Sequence, residues 1–132
     1  MTRALAACLA LLIAGCASNP DPKKYKFPPP QAPAAGAVQE GTASWYGPKY
    51  NGKMTSSGEV FDQDALTAAH PSWAFGTRVK VTLLSTSKSV VVRINDRFPA
   101  HKGRAIDISR EAAKRIGLLG PGTGKVRLEV LP

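Results

Sequence analysis

Cysteine is nearly missing. Both copies, Cys8 and Cys16, fall in the first sixteen of 132 residues, so no disulfide framework or Cys-rich zinc site can hold what folds downstream. Any domain here must rest on its apolar core. Acid is scarce too: 9 Asp and Glu face 18 Lys and Arg, a formal charge of +9. That excess favours an anionic partner such as nucleic acid, anionic lipid or an acidic polymer. Histidine is limited to His70 and His101, and their spacing to Glu59 and Asp62 fits no His-rich zinc signature, so no metal or other cofactor is expected. The apolar run at residues 4–14 is too short to span a bilayer. Finally, 132 residues with 43% hydrophobic positions exclude a large multidomain enzyme and suit one small domain with an appendage.

The appendage comes first. Arg3 supplies a positive n-region and residues 4–14 an h-region, as in a signal peptide over residues 1–15. The run ends Leu12-Ile13-Ala14-Gly15-Cys16, which resembles a bacterial lipobox. Small residues at 14 and 15 would enter the peptidase site, and the Cys16 thiol would accept the diacylglycerol. Cleavage before Cys16 makes it the first mature residue, attached to a lipid bilayer without crossing it. By resemblance to Gram-negative lipoproteins, Ala17 rather than Asp at the next position points to the outer membrane, with the protein facing the periplasm. An exported protein does not meet nucleic acid, so the basic surface is better matched to cell wall, whose peptide stems carry carboxylates.

Residues 16–40 read as a lipidated start and a spacer. Pro20, Pro22, Pro28, Pro29, Pro30 and Pro33 lie there without apolar periodicity, as in a partly polyproline linker. Fully stretched it could reach on the order of 70 Å. From residue 41 to 132 the composition changes. Short apolar stretches at β spacing fall at 41–46, 64–67, 78–83, 89–95, 104–108 and 124–131, separated by Gly, Pro, Ser and Asn. Ser109 is a good N-cap for a helix over 110–116, and Gly117 a natural terminator. A weaker helical turn is placed near 70–74. Many short strands in so small a domain favour a closed barrel, because closure removes exposed edges that it could hardly cover otherwise. A monomer is expected.

Period two in 89–96 sets Val90, Val92, Ile94 and Asp96 on one face. Asp96 is therefore expected to point coreward, where burial would raise its pKa and ready it to give up a proton. Capping a turn or pairing with Arg93 or Arg97 is the structural alternative. A second cluster, Glu59 and Asp62 around the Gly58 turn with His70 after them, places two carboxylates and an imidazole within twelve positions. Such a set can serve acid/base chemistry, although a lone His70 is as readily a packed histidine. Trp45 and Tyr46 are candidates for stacking on a sugar or for the core. Asp107, just before Ser109, is expected chiefly to cap the helix start.

Gly41 to Gly47, Thr55 to Asp62, Leu66 to His70, Phe75-Gly76-Thr77, Val90 to Arg97 and Gly103 to Ser109 occur in the order seen in the RlpA-like (rare lipoprotein A) family. The chain is similar to that family across residues 41–132. The resemblance implies an all-β fold, a six-stranded double-psi β-barrel with one or two short helices. It further implies a lytic transglycosylase acting on peptidoglycan glycan strands stripped of stem peptides. The family's acidic site residues fall on Glu59, Asp62 and Asp96, with His70 beside them.

Two departures stand out. Many relatives carry a SPOR domain, whereas the sequence given ends at Pro132, so SPOR-driven septal targeting is not expected. Arg97-Phe98-Pro99 stands where relatives usually have Gly before Pro, which would set Arg97 and Phe98 along the substrate groove. In a lytic transglycosylase the muramyl C6 hydroxyl closes on C1, and one carboxyl can act first as acid and then as base. Asp96 is assigned that part, with Glu59 and Asp62 stabilising charge or positioning sugar and His70 orienting a carboxylate. The alternative is a non-catalytic, expansin-like wall-binding or tethering module.

Overall fold

A computed structural model describes residues 28–101 and 103–132. The signal peptide at 1–15, the lipidation residue Cys16 and the first part of the spacer lie outside the described residues.

Six strands form: β1 (Val38–Trp45), β2 (Thr67–Ala69), β3 (Arg78–Leu83), β4 (Ser89–Asp96), β5 (Arg104–Ile108) and β6 (Thr123–Val130). They close into the expected barrel in the order β1-β5-β2-β4-β3-β6. β1 with β5 and β2 with β4 run parallel, the other neighbours antiparallel. Closure follows from the alternation in the long strands: Val79, Val81, Val90, Val92, Val126 and Leu128 all point inward and are buried. The outer positions of β3, β4 and β6 carry mainly charged and polar residues. At the rate of roughly 2 kcal/mol per fully buried aliphatic side chain, this core is the dominant favourable term, with no crosslink needed.

The helix α1 (Arg110–Ile116) lies where expected. The Ser109 hydroxyl accepts from the Ala112 N–H and donates to the Ala65 carbonyl, and Gly117 ends the helix at φ 84°. Ala112, Ala113 and Ile116 pack onto the core. Gly41 is required by a close approach: a Cβ there would lie 2.7 Å from the Ala105 Cβ.

Three local expectations change. β2 begins at Thr67 rather than 64, because Asp62 folds 62–65 into a turn, its Oδ1 accepting from the Asp64 N–H and its carbonyl from Ala65. No helix forms at 70–74; that backbone is held by His70 and by Gln31, whose N–H and C=O bond Ser72 and Ala74. The end of the spacer is likewise joined to the barrel. Gly36 donates to the Val130 carbonyl, and strand pairing starts at Val38, ahead of the expected 41.

Candidate functional site

Register decides which polar side chains meet. Ser44 on β1 pairs with Asp107 on β5, Asp107 pairs with Ala69 on β2, and Ala69 pairs with Asp96 on β4. Four strands thus contribute one row, Ser44–Asp107–Ala69–Asp96, with a single methyl between two carboxylates. At the usual strand spacing the two Asp backbones stand roughly 10 Å apart. Asp96, Ala69 and Asp107 line the same cavity, of about 220 Å³.

Asp96 does not follow the alternation to its end. Between Ala68 and Ala69 the β2–β4 register slips, so Ile94 and Asn95 are both buried in succession while Asp96 is only half-buried. A bulge re-aims the side chain that follows it. Asp96 therefore faces the cavity instead of the aliphatic core, which corrects the expectation that it points coreward among Val and Ile. Its Oδ1 accepts from the backbone N–H groups of Ser56 (2.9 Å) and Arg97 (2.8 Å). Oδ2 has no hydrogen bond among the described residues, so the carboxyl is fixed in direction with one oxygen left to act.

Burial pushes up a different carboxyl. Asp107 is desolvated, which holds its pKa above the ordinary carboxylate value; Arg104 opposes this, and the charge of Asp96 adds to it. Its Oδ1 accepts from the Ser44 hydroxyl and from Arg104 Nη2 at 2.7 Å. The expected capping role is corrected: Ser109 caps α1, and Asp107 belongs to the cavity. The available signal was an acid set between Ile106 and Ile108 inside an apolar strand, with a possible cationic partner three positions earlier.

Aromatic side chains line the same cavity. Tyr46 packs against Phe61 at 4.2 Å between centroids and meets Tyr50 edge-on at 6.1 Å, and all three line the cavity. Burial first, then the charge of Asp96, keep the Tyr46 phenol protonated well above its ordinary pKa. Arg97, Phe98 and Pro99 also line the cavity, with the exposed Lys53 and Met54.

Glu59, Asp62 and His70 do not join this group, which corrects the expected convergence of three acids and an imidazole. Glu59 is exposed and turned to Arg93, which grips both its oxygens, with Asn95 beside them; these hydrogen bonds hold its pKa below the ordinary value. Arg93 leaves the outer face of β4, so Glu59 is drawn outward. Asp62 is exposed, its Oδ1 accepts from the Asp64 N–H of its own turn, and it does not line the cavity. His70 is 3% exposed. Its Nδ1 accepts from the N–H groups of Ser72 (3.1 Å) and Trp73 (3.0 Å), Nε2 bonds Gln39 Oε1 at 2.9 Å, and the ring stacks on Trp73. Burial, helped by Arg97, pushes its pKa down to about 4. A neutral imidazole with both nitrogens committed braces backbone; only its carbonyl reaches toward the cavity, accepting from Arg97. Trp45 packs against the core and does not line the cavity. Among the described residues no group of three or more His, Cys, Asp and Glu could hold a metal ion.

Two directed carboxyls in a cavity lined by aromatic side chains are a set that can protonate and deprotonate the oxygens of a sugar. The comparisons with known proteins agree in kind. The family profile described as lytic transglycolase matches residues 38–128. The "Probable endolytic peptidoglycan transglycosylase RlpA" of Synechocystis sp. is 54% identical over 94 residues, which cover 71% of this chain and 29% of the relative. The "Endolytic peptidoglycan transglycosylase RlpA" of Campylobacter jejuni is 48% identical over 102 residues, covering 77% and 37%. The chain thus spans about a third of the length of these curated relatives. Among solved structures, the Streptomyces papain inhibitor superposes with a TM-score of 0.62 at 18% identity, over 77% of this chain and all of that one. The apo expansin of Clavibacter michiganensis gives 0.58 at 18% identity, over 73% and 51%. At such identity these two share the fold.

Proposed function

The chain belongs to the lytic transglycolase family, and from that premise we propose that its cavity cleaves the MurNAc–GlcNAc bond of peptidoglycan, preferably in peptide-stripped strands, leaving 1,6-anhydro-MurNAc ends. The observation that carries this reading is the Ser44–Asp107–Ala69–Asp96 row, which brings two carboxyls to one sugar-sized cavity.

In the proposed reaction Asp96 acts twice. Its carboxyl protonates the leaving GlcNAc O4 as the C1–O4 bond breaks. The resulting carboxylate then takes the proton of the muramyl C6 hydroxyl while O6 bonds to C1, so no water is consumed. The two backbone N–H groups on Oδ1 pre-orient Oδ2 for both transfers. Asp107, fixed by Ser44 and Arg104, is the second carboxyl facing the developing oxocarbenium charge. Tyr46, Tyr50 and Phe61 offer apolar surface to the sugar rings. We further propose that the protein is a monomeric, lipid-anchored periplasmic protein attached through Cys16, most simply to the outer membrane; the lipobox pattern and the basic composition support that reading.

The test incubates the full chain with peptide-free glycan strands and weighs the products by mass spectrometry. Anhydro-muramyl ends that disappear in Asp96→Asn are expected, with a rate loss of about 10²-fold or more. Reducing ends would indicate hydrolysis. Co-sedimentation with glycan without new ends would establish the binding module instead.

A further inference from the structure

We infer that Lys53 and Arg97 form a carboxylate-binding subsite in the wall of this cavity, which takes the free lactyl carboxylate of a muramyl residue whose stem peptide has been removed. The inference rests on the glycan-cleaving reading above and adds to it the group that selects the substrate.

The cavity holds two cations without an ion-pair partner among the described residues. The ion pairs among the described residues are Arg93–Glu59, Arg104–Asp107 and Arg115–Glu111. Lys53 and Arg97 line the cavity and enter none of them. They arrive from separate segments, Lys53 from the turn after Pro48–Tyr50 and Arg97 from the end of β4.

Arg97 is held in place rather than waving in solvent. Its Nη1 donates to the carbonyls of His70 (3.2 Å) and Asp96 (3.4 Å), and its guanidinium lies 4.2 Å from the Phe75 ring centroid. Nη2 and Nε make no hydrogen bond among the described residues. Partial burial weakens the charged form of Arg97, with Asp96 opposing that effect, so an arriving anion would be favoured over water. A fixed planar guanidinium with free N–H groups suits a carboxylate. Lys53, which is exposed, adds a movable point charge.

Asp96 and Asp107 restrict what that anion can be attached to. Proton transfer needs the acetal oxygens beside these carboxyls, so the ligand must keep its charge on the Lys53–Arg97 side while presenting neutral acetal oxygens to them. A muramyl residue has this layout, with the lactyl group on O3 and the glycosidic bond at C1. When a stem peptide is attached, the lactyl carboxylate becomes an amide, which removes the charge and adds bulk. The subsite would therefore distinguish stripped from substituted strands by whether a charge sits on the lactyl group itself, since the carboxylates of an attached stem lie farther from the ring.

The full chain is titrated calorimetrically with peptide-free glycan oligosaccharides, and with the same oligosaccharides after conversion of their lactyl carboxylates to methylamides. The native protein should bind the free acid at least about tenfold more tightly than the amide, with the difference shrinking as salt rises. Lys53→Gln and Arg97→Gln should each reduce that preference, bringing the affinity for the acid toward that for the amide. Lys53 is exposed, so its variant keeps the test valid if Arg97→Gln unfolds. Equal affinity for acid and amide, or equal weakening of both in the Lys53 variant, overturns the subsite while leaving the glycan reading intact. Binding of neither oligosaccharide overturns both.

Discussion

His70 provides a quantitative test of the division between bracing and chemistry. Folded, its pKa is pushed down to about 4 from an ordinary 6.5, by burial and then by Arg97. Between those values the unfolded chain takes up a proton that the folded chain refuses, so stability falls as pH drops through the window. At about 1.4 kcal/mol per pH unit, the loss by pH 4 is about 3 kcal/mol. Protonation would also turn Nδ1 from acceptor to donor against the N–H groups of Ser72 and Trp73. Urea unfolding of the native chain and of His70→Gln at pH 7 and pH 4 reads this directly. The difference in stability between them should change by about 3 kcal/mol, on the order of 10–20 °C in Tm, with the variant less sensitive to acid. Glu59, held low, loses stability in acid as well, and Asp107, held high, does the reverse; both persist in the variant and cancel in the comparison. At pH 7 the variant, once corrected for its folded fraction, should retain cleavage within about tenfold of the native rate. Parallel pH dependence of the two proteins would refute the buried neutral imidazole. A folded variant with cleavage reduced about 10³-fold would return His70 to the chemistry.

Ala69→Leu should close the space between Asp96 and Asp107: cleavage and glycan binding fall together by mass spectrometry and calorimetry, while the circular dichroism spectrum stays that of a β fold. Glu59→Gln frees Arg93 on an exposed face, so Tm should shift by no more than about 2 °C and cleavage by no more than a few fold; a loss comparable with Asp96→Asn would show that Glu59 enters the reaction.

The local rules of the chain determined the elements. Alternating Val, Leu and Ile residues define β3 and β4, Ser109 and Gly117 bound α1, and the near absence of cysteine leaves the core to hold the barrel. Each depends on neighbours a few positions away, which is why each was legible. Asp96 was legible as a strand-end acid, but its direction was not, because a bulge against β2 breaks the alternation after Ile94. Asp107 looked like a helix cap, since nothing near it in sequence reveals that β1 brings Ser44 and β2 brings Ala69 alongside. Glu59 and His70 looked catalytic until their partners, Arg93 and Gln39, appeared from 34 and 31 positions away. Strand register across a closed barrel is a long-range property: it is set by how the whole core packs, and it alone decided which carboxyls share the cavity.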